Sequence, residues 1–502
     1  MLSLIVFLPA AAALVLAAVP GRVPGRVFTG TWIAVSAADL ALVAVAWAGY
    51  RPGSGYGWAE NVAWIPGAGV SYHVGVDGLS LPLTALTAFL FLAVAVYSLR
   101  ETRRVKAYVC LFLSLQTVCL GLFTALDLIL FFVYFDLSIV GMYFVIAGWG
   151  HGGQARAAAL KFFLYTFTGS LALLLGFIGL YLAARPHTFD MVTLIRAHPL
   201  TGHGLYAGLV LLAVAAGLAV KTPTVPFHTW LPPAHTEAPA AGSAILAGVM
   251  LKMGTYGFVR IAMPMLPGPW QRYALVFVIV GVVSVLYGAL VALAQTNFKR
   301  MIAYTSVNHM GYILLAVGAA GIVAGTAAQA RQLAVTGAVT QMVSHGLLTG
   351  ALFLLSGVLY ERGHTYDMTA YSGLAARTPV FAGLTAVAAF GSLGIPGLSG
   401  FIAEFQIFTG SLASATVATA LAVLGILVTA ALFLIALQRI FLGPLRLPGG
   451  PGAALAFADV QVSVAVAIVP LLAASVVIGV APQFLLTVIE PAARAVIHLV
   501  AR

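Results

Sequence analysis

The chain has 502 residues, 62% of them hydrophobic and only 7% charged, and its formal net charge is +11. Soluble domains carry about 25% charged residues, so a water-soluble globular fold is excluded and a polytopic membrane protein is expected. The positive charge gathers into no basic patch beyond Arg103, Arg104 and Lys106 in one short connection, which excludes a nucleic-acid surface and reads as the bias of loops on the inner side of a membrane.

In chain order, the first apolar run, 2–20, lacks the charged start of a signal peptide and is followed by a similar run at 28–49, so it is read as a transmembrane helix. Further runs recur at 80–99, 108–125, 127–149, 158–184, 204–221, 242–264, 272–294, 301–324, 333–359, 379–408, 414–441 and 461–490. A crossing needs about 20 residues at 1.5 Å rise. The pattern therefore predicts an all-α polytopic membrane protein of about 14 transmembrane helices. Cys110 and Cys119 share one run and supply no disulfide framework, zinc site or iron–sulfur cluster. With the N-terminus outside, thirteen basic residues fall in inner connections, Lys299 and Arg300 among them. Eight fall outside, including Arg260, Arg331 and Arg502. Both termini are then expected outside, and the connections 50–79 and 185–203 are too short for a soluble domain.

Two runs are punctuated. In "GLAVKTPTVPFHTWLPPAH", residues 217–235, Lys221 closes an apolar helix and four prolines follow. In "GSLGIPGLSGFIAEF" the Gly–Ile–Pro–Gly–Leu–Ser–Gly stretch lets the chain leave helical geometry, with Glu404 just beyond. Proline removes a backbone donor, and broken helices are tolerated only where protein or a water cavity satisfies the freed groups. Each break falls in a set of about five helices, 108–264 and 272–441, between a leading part, 1–107, and a final part, 442–502. That resembles inverted-repeat transporters, whose discontinuous helices carry the ion site.

The charges that survive inside apolar runs are Asp136, Lys161, Lys221, Lys252 and Glu404, in company with His228, His235, His309 and His345. Each has a plain alternative: Lys161 near a helix end snorkels to the interface, and His309 and His345 tie neighbouring helices together. Asp136 and Lys252 resist that reading, because apolar sequence flanks both and an unpaired ion at the bilayer centre costs about 2.5–3.5 kcal/mol on insertion scales. Pairing Asp136 with a lysine from another helix would offset much of this. Lysines, histidines and carboxylates in one apolar bundle are the groups that proton conduction needs, since each holds or passes a proton according to its partner.

These residues resemble the antiporter-like membrane subunits of respiratory complex I, over about 70–410. The most specific motif is "KTPTVPFHTWLPPAHTEAPAAGSAILAGVMLKMGTYGFVR"; "KRMIAYTSVNHMGY" and "QMVSHGLLTGALFLLSG" are nearly as specific. The resemblance implies fourteen helices, two inverted five-helix units after three leading helices, and a half-channel in each unit joined by a polar axis. Matched by position, the fifth-helix acid falls on Asp136, the seventh-helix lysine on Lys221 and the central eighth-helix lysine on Lys252. His228, His235, His309 and His345 match the linking histidines, and Glu404 the twelfth-helix exit group. An acid at 404, where relatives carry lysine, resembles the chain M (chain 4) branch. The family phrase is usually "FFFFWEMMLVPMY"; here it is "FFVYFDLSIVGMY". Asp136 is one methylene shorter than glutamate, so a pair to Lys221 needs closer backbones or an intervening water.

Three functions are compatible with these residues. The first is a proton-translocating subunit of a bacterial plasma-membrane NADH–quinone oxidoreductase, an enzyme only as a complex. The chain itself has no cofactor motif, so NADH, FMN, iron–sulfur clusters and quinone would belong to partner subunits. Neighbouring antiporter-like and small membrane subunits, lipids and protons would be its partners. The second is a subunit of a hydrogenase-linked or Mrp-like cation/proton antiporter complex, and the third a purely structural subunit. Several charges in separate helices argue against the third.

Overall fold

The computed structural model describes residues 1–20, 22–448 and 458–501. Arg502 and residues 449–457 of the expected C-terminal part lie outside the described residues. Two helices, α1 (Leu2–Ala18) and α2 (Gly25–Gly49), lead into an antiparallel hairpin of β1 (Gly57–Ile65) and β2 (Val70–Val76). Next come α3 (Ser80–Tyr97), α4 (Val105–Thr124), α5 (Leu128–Trp149), α6 (Ala155–Ala183) and the short α7 (Met191–Ala197). The first broken helix is α8 (Gly204–Lys221) with α9 (Leu231–Glu237), and α10 (Ala240–Met265) follows. Then come α11 (Pro267–Leu293), α12 (Phe298–Gly321) and α13 (Ala328–Gly363). The second broken helix is α14 (Pro379–Ser392) with α15 (Ser399–Leu412); α16 (Thr416–Phe441), α17 (Val462–Val480) and α18 (Gln483–Val500) complete the chain. Twelve of the described helices are long and apolar enough to cross a membrane.

Side-chain caps start the helices where the sequence places an acid before an apolar run. Asp77 Oδ1 accepts from the backbone N–H of Leu79 at 3.0 Å and of Ser80 at 3.1 Å, opening α3. Asp127 does the same for α5, accepting from Ile129 and Leu130. These bonds satisfy donors that a helix start otherwise leaves bare. At the first break, Val225 N–H donates to Ser284 Oγ at 3.0 Å and Trp230 Nε1 to the Val220 carbonyl at 3.0 Å. At the second, Gly394 and Gly397 take φ of +79° and +93°, a backbone that favours glycine. Just beyond them Ser399 N–H donates to Ser475 Oγ at 3.2 Å, so at both breaks protein takes freed backbone groups, as a membrane interior requires.

Helices α10 and α13 are buried along their apolar length at the centre of the bundle. They touch backbone to backbone: a Cβ on Gly346 would lie 2.8 Å from the Gly248 carbonyl oxygen. Only glycine allows that approach, and it brings Lys252, one turn beyond Gly248, against His345.

The connection 50–79, too short for a soluble domain, holds the hairpin, tied down by His73 Nδ1 to Asp190 Oδ2 at 2.5 Å. Other expectations need correction. The run 461–490 is not one crossing: α17 ends at Val480 and a new helix starts at Gln483. Gln271 at the start of α11 and Gln332 at the start of α13 bond the carbonyls of Val500 and Glu490. Since both partners begin spans at one level, α18 lies across the bundle end, its buried face formed by Leu485, Ile489, Ala493, Val496 and Val500. Finally, Arg260, Lys299 and Arg331 are not loop charges: all three are buried, at 4%, 0% and 4% exposure. Arg260 is ion-paired with Asp77 and bonded to Tyr256 and Tyr56.

Candidate functional site

Lys252 sits in the α-helical turn between two wider, π-type segments, Leu246–Met250 and Phe258–Ala262. Such segments occur often at functional sites because they turn backbone carbonyls out of the regular ladder. Here the Lys252 ammonium donates to the Ala247 carbonyl at 2.5 Å and to His345 Nδ1 at 2.6 Å. The imidazole that accepts at Nδ1 carries its own proton on Nε2.

From His345 the groups continue across the bundle. The His345 and His309 rings stand edge to face, 5.3 Å between centroids. Gln341 Nε2 donates to His309 Nδ1 at 3.0 Å, and the Glu404 carboxylate lies 3.8 Å from that same nitrogen. His309, Gln341, His345 and Glu404 share a cavity of about 10 Å³, at the lower limit for one water molecule. Glu404 is held there by the second break, its carboxylate against Gly394 where a side chain would collide with it. Lys252, His345, His309 and Glu404 therefore form one buried row. Beside it, Ser344, Ser399 and Ser475 hydroxyls link at 2.7 Å each.

The other expected residues are distributed differently. His235 is fully buried, its ring stacked on Phe353 at 4.4 Å. Lys221 donates to Ser138 Oγ at 2.8 Å and lies 4.7 Å over the Phe135 ring. Among the described residues, the ion pairs do not include Asp136 with Lys221. The serine two residues along takes the lysine instead. His228 is buried edge-on to Tyr287 at 4.9 Å. Lys161 is exposed on α6, apart from the buried row.

Lys299 is the residue that hydropathy misses. Its ammonium donates to the Ala238 carbonyl, just past α9, and to the Tyr366 hydroxyl at 3.3 Å. A cation capping a helix end is a structural role in itself; the same position puts Lys299 near His235. Polar neighbours Gln295, Thr296 and Asn297 disguise it as a loop residue, and only its place at the head of "KRMIAYTSVNHMGY" signals otherwise. Nearby, in the connection after α5, burial first and then the charges of Lys299 and Arg103 bring His151 down to about 4, so it is neutral at physiological pH. Among the described residues no group of three His, Cys, Asp or Glu could hold a metal ion, and both cysteines are free.

Residues 125–429 match the family described as "NADH:quinone oxidoreductase/Mrp antiporter, TM". The chain is similar to NADH-quinone oxidoreductase subunit M of Rickettsia conorii, 40% identical over 436 residues, covering 86% of this chain and 84% of that one. Against subunit M of Rhodobacter capsulatus it is 38% identical over 514 residues, covering 100% and 96%. Its fold resembles a chain of respiratory complex I from Thermus thermophilus with bound NADH, with TM-score 0.88, 29% identity and full coverage of both chains.

Proposed function

The chain belongs to the NADH:quinone oxidoreductase/Mrp antiporter family of membrane subunits, and from that premise we propose that it is the proton-translocating M-type subunit of a bacterial NADH–quinone oxidoreductase. The observation that carries this reading is the hydrogen bond from Lys252 to His345, continued by His309 to Glu404. Transfer along that bond leaves a neutral amine and an imidazolium; the imidazolium then releases the other proton, from Nε2. A histidine relays in this way because its two nitrogens face opposite directions. His309 and Glu404 take the proton onward, with a water in the shared cavity spanning the gaps.

On this proposal Lys221, with Asp136 and Ser138, loads the relay, and His235 with Lys299 forms its other approach. His228 and Lys161 lie farther out and tune the charge at the first break. Fourteen crossings, two inverted units at 108–264 and 272–441, and both termini outside a bacterial inner membrane complete the reading. The charge bias of the loops supports the orientation even after Arg260, Lys299 and Arg331 are removed from the count. NADH, FMN, iron–sulfur clusters and quinone belong to partner subunits, and the chain acts as an enzyme only within that assembly.

The test is gentle extraction from the native membrane and identification of stoichiometric partners. Iron–sulfur and quinone-site subunits with other antiporter-like chains are expected. A hydrogenase module would change the electron donor and keep the relay, whereas a lone chain would replace this reading with a cation/proton antiporter.

A further inference from the structure

We propose that a groove between α8 and α11 holds one anionic glycerophospholipid, its phosphate at Arg272 and one acyl chain laid along α8 to the helix break. This does not rest on the proton-transfer reading.

Two cavities meet at Tyr273. The first, about 640 Å³, opens where α8 and α11 begin, on the face that carries the hairpin; His203, Gln271 and Arg272 supply its polar wall. The second, about 420 Å³, runs down the bundle between the two helices and is almost wholly apolar. Leu205, Leu209 and Leu212 form one side, Val276 and Val280 the other, and it ends at Pro226 and Phe227. Leu205 is 81% exposed and Leu212 64%, so among the described residues no segment covers them. From Leu205 to Ala219 the groove follows about 21 Å of helix at 1.5 Å per residue. That is somewhat more than half of an about 30 Å hydrocarbon core, the length of one leaflet's acyl chain.

Charge complementarity chooses the head group. Arg272 is exposed, with its guanidinium 5.7 Å over the Tyr273 ring, and a guanidinium offers paired donors to phosphate oxygens. His203 adds a further donor, and no carboxylate lines either cavity. A cationic mouth on an apolar slot fits an anion with a hydrocarbon tail.

The far end of the groove gives the occupant a purpose. Residues 222–227 leave helical geometry beside Lys221, and protein takes their freed backbone groups. Ser284 and the Trp230 indole protect the side toward the bundle. On the side toward the membrane the break presents apolar side chains, Phe227 36% exposed among them, and the acyl chain packs against these. Occupancy thereby steadies the break next to a buried lysine.

The test uses the whole complex in nanodiscs containing either phosphatidylglycerol or phosphatidylcholine with a photoactivatable diazirine on one acyl chain, and adducts are mapped by mass spectrometry. Adducts on 205–219 and 273–280 should be about fivefold more abundant with phosphatidylglycerol, the effect expected of one cation beside an anionic lipid. Arg272→Gln should abolish that preference and Arg272→Lys should keep it, while Ala216→Phe should reduce adducts of both lipids by filling the slot. Equal labelling by the two lipids, or labelling spread evenly over all lipid-facing helices, would show ordinary boundary lipid and overturn the proposal. So would a neighbouring subunit's peptide cross-linked in the groove with no lipid adduct.

Discussion

Helix α10 carries two buried cations, and their surroundings differ in kind. Lys252 donates to a histidine and a carbonyl, and the next groups in line are another histidine and a carboxylate. Arg260, eight residues on, is locked to the Asp77 carboxylate with two tyrosine hydroxyls around it. Guanidinium does not give up its proton, and Asp77 is already committed to opening α3. A charge inside a membrane bundle is therefore not functional by being there. It conducts when its partner can take the proton and pass it on, and it builds structure when the partner only balances it.

The largest effect expected from this contrast comes from Lys252→Ala. Removing a positioned proton donor typically costs 10²–10⁴-fold, so NADH-driven acidification of inverted membrane vesicles should fall by about two orders of magnitude with the subunit still assembled. Unchanged pumping would erase the distinction between the two cations. Arg260→Ala should do the reverse. Breaking a buried pair costs about 3–5 kcal/mol, which should appear as lower thermal stability and poorer assembly, with normal pumping for each complex that forms. Replacing Arg260 with methionine and Asp77 with leucine together should recover much of the stability, less the roughly 1 kcal/mol that the Asp77 cap on α3 contributes. If instead pumping is lost while stability holds, Arg260 belongs to the relay.

Gly346→Ala sharpens the geometry of the contrast. Its Cβ would lie 2.8 Å from the Gly248 carbonyl and 2.5 Å from Leu86, and overpacking of this sort costs about 1–3 kcal/mol. The separation falls on the Lys252–His345 bond, so pumping should drop more than thermal stability does. A drop in stability alone would mean that the bond tolerates a wider gap.

Much of this organisation is legible in the sequence, for identifiable reasons. Breaks at 222–230 and 393–398 announce themselves through proline and glycine, whose backbone limits act locally. The row Lys252, His345, His309 and Glu404 is legible as a set of residue types, but its order depends on the Gly248–Gly346 approach, a contact between segments about a hundred residues apart. Lys299, Arg260 and Arg331 were misplaced because a window of hydropathy cannot tell a helix end inside the bundle from a loop outside it. The hairpin was missed because 57–65 is mostly exposed and carries no strong alternation. Ser138 carries no signal in the sequence, since a serine becomes a lysine's partner only once the fold brings α5 against the end of α8.

Smaller effects probe the edges of the account. Asp136→Glu adds the reach that aspartate lacks, so pumping should stay within about threefold of the parent, well below the 10²-fold or greater loss of a missing proton donor. Failure to assemble would mean that the local packing is built around aspartate. At the hairpin, burial alone would raise the Asp190 carboxyl, but bonds from His73 and Thr193 outweigh it and hold it below the usual range. Its contribution to stability is therefore complete above the unfolded value of about 3.9 and lost as pH falls through the lower folded value. Amide exchange in β1 and β2 should accelerate on acidification below about pH 4, before any change in α10 or α13. Simultaneous loosening would show that the hairpin is not an independent element.

The central claim is that Lys252 and His345 act as one transfer step, and a double-mutant cycle on proton pumping tests it most directly. Lys252→Ala, His345→Ala and the double variant should each lose about the same activity, because groups that work as a unit are grossly non-additive. Losses that multiply in the double variant would contradict the account and place the two residues on separate paths.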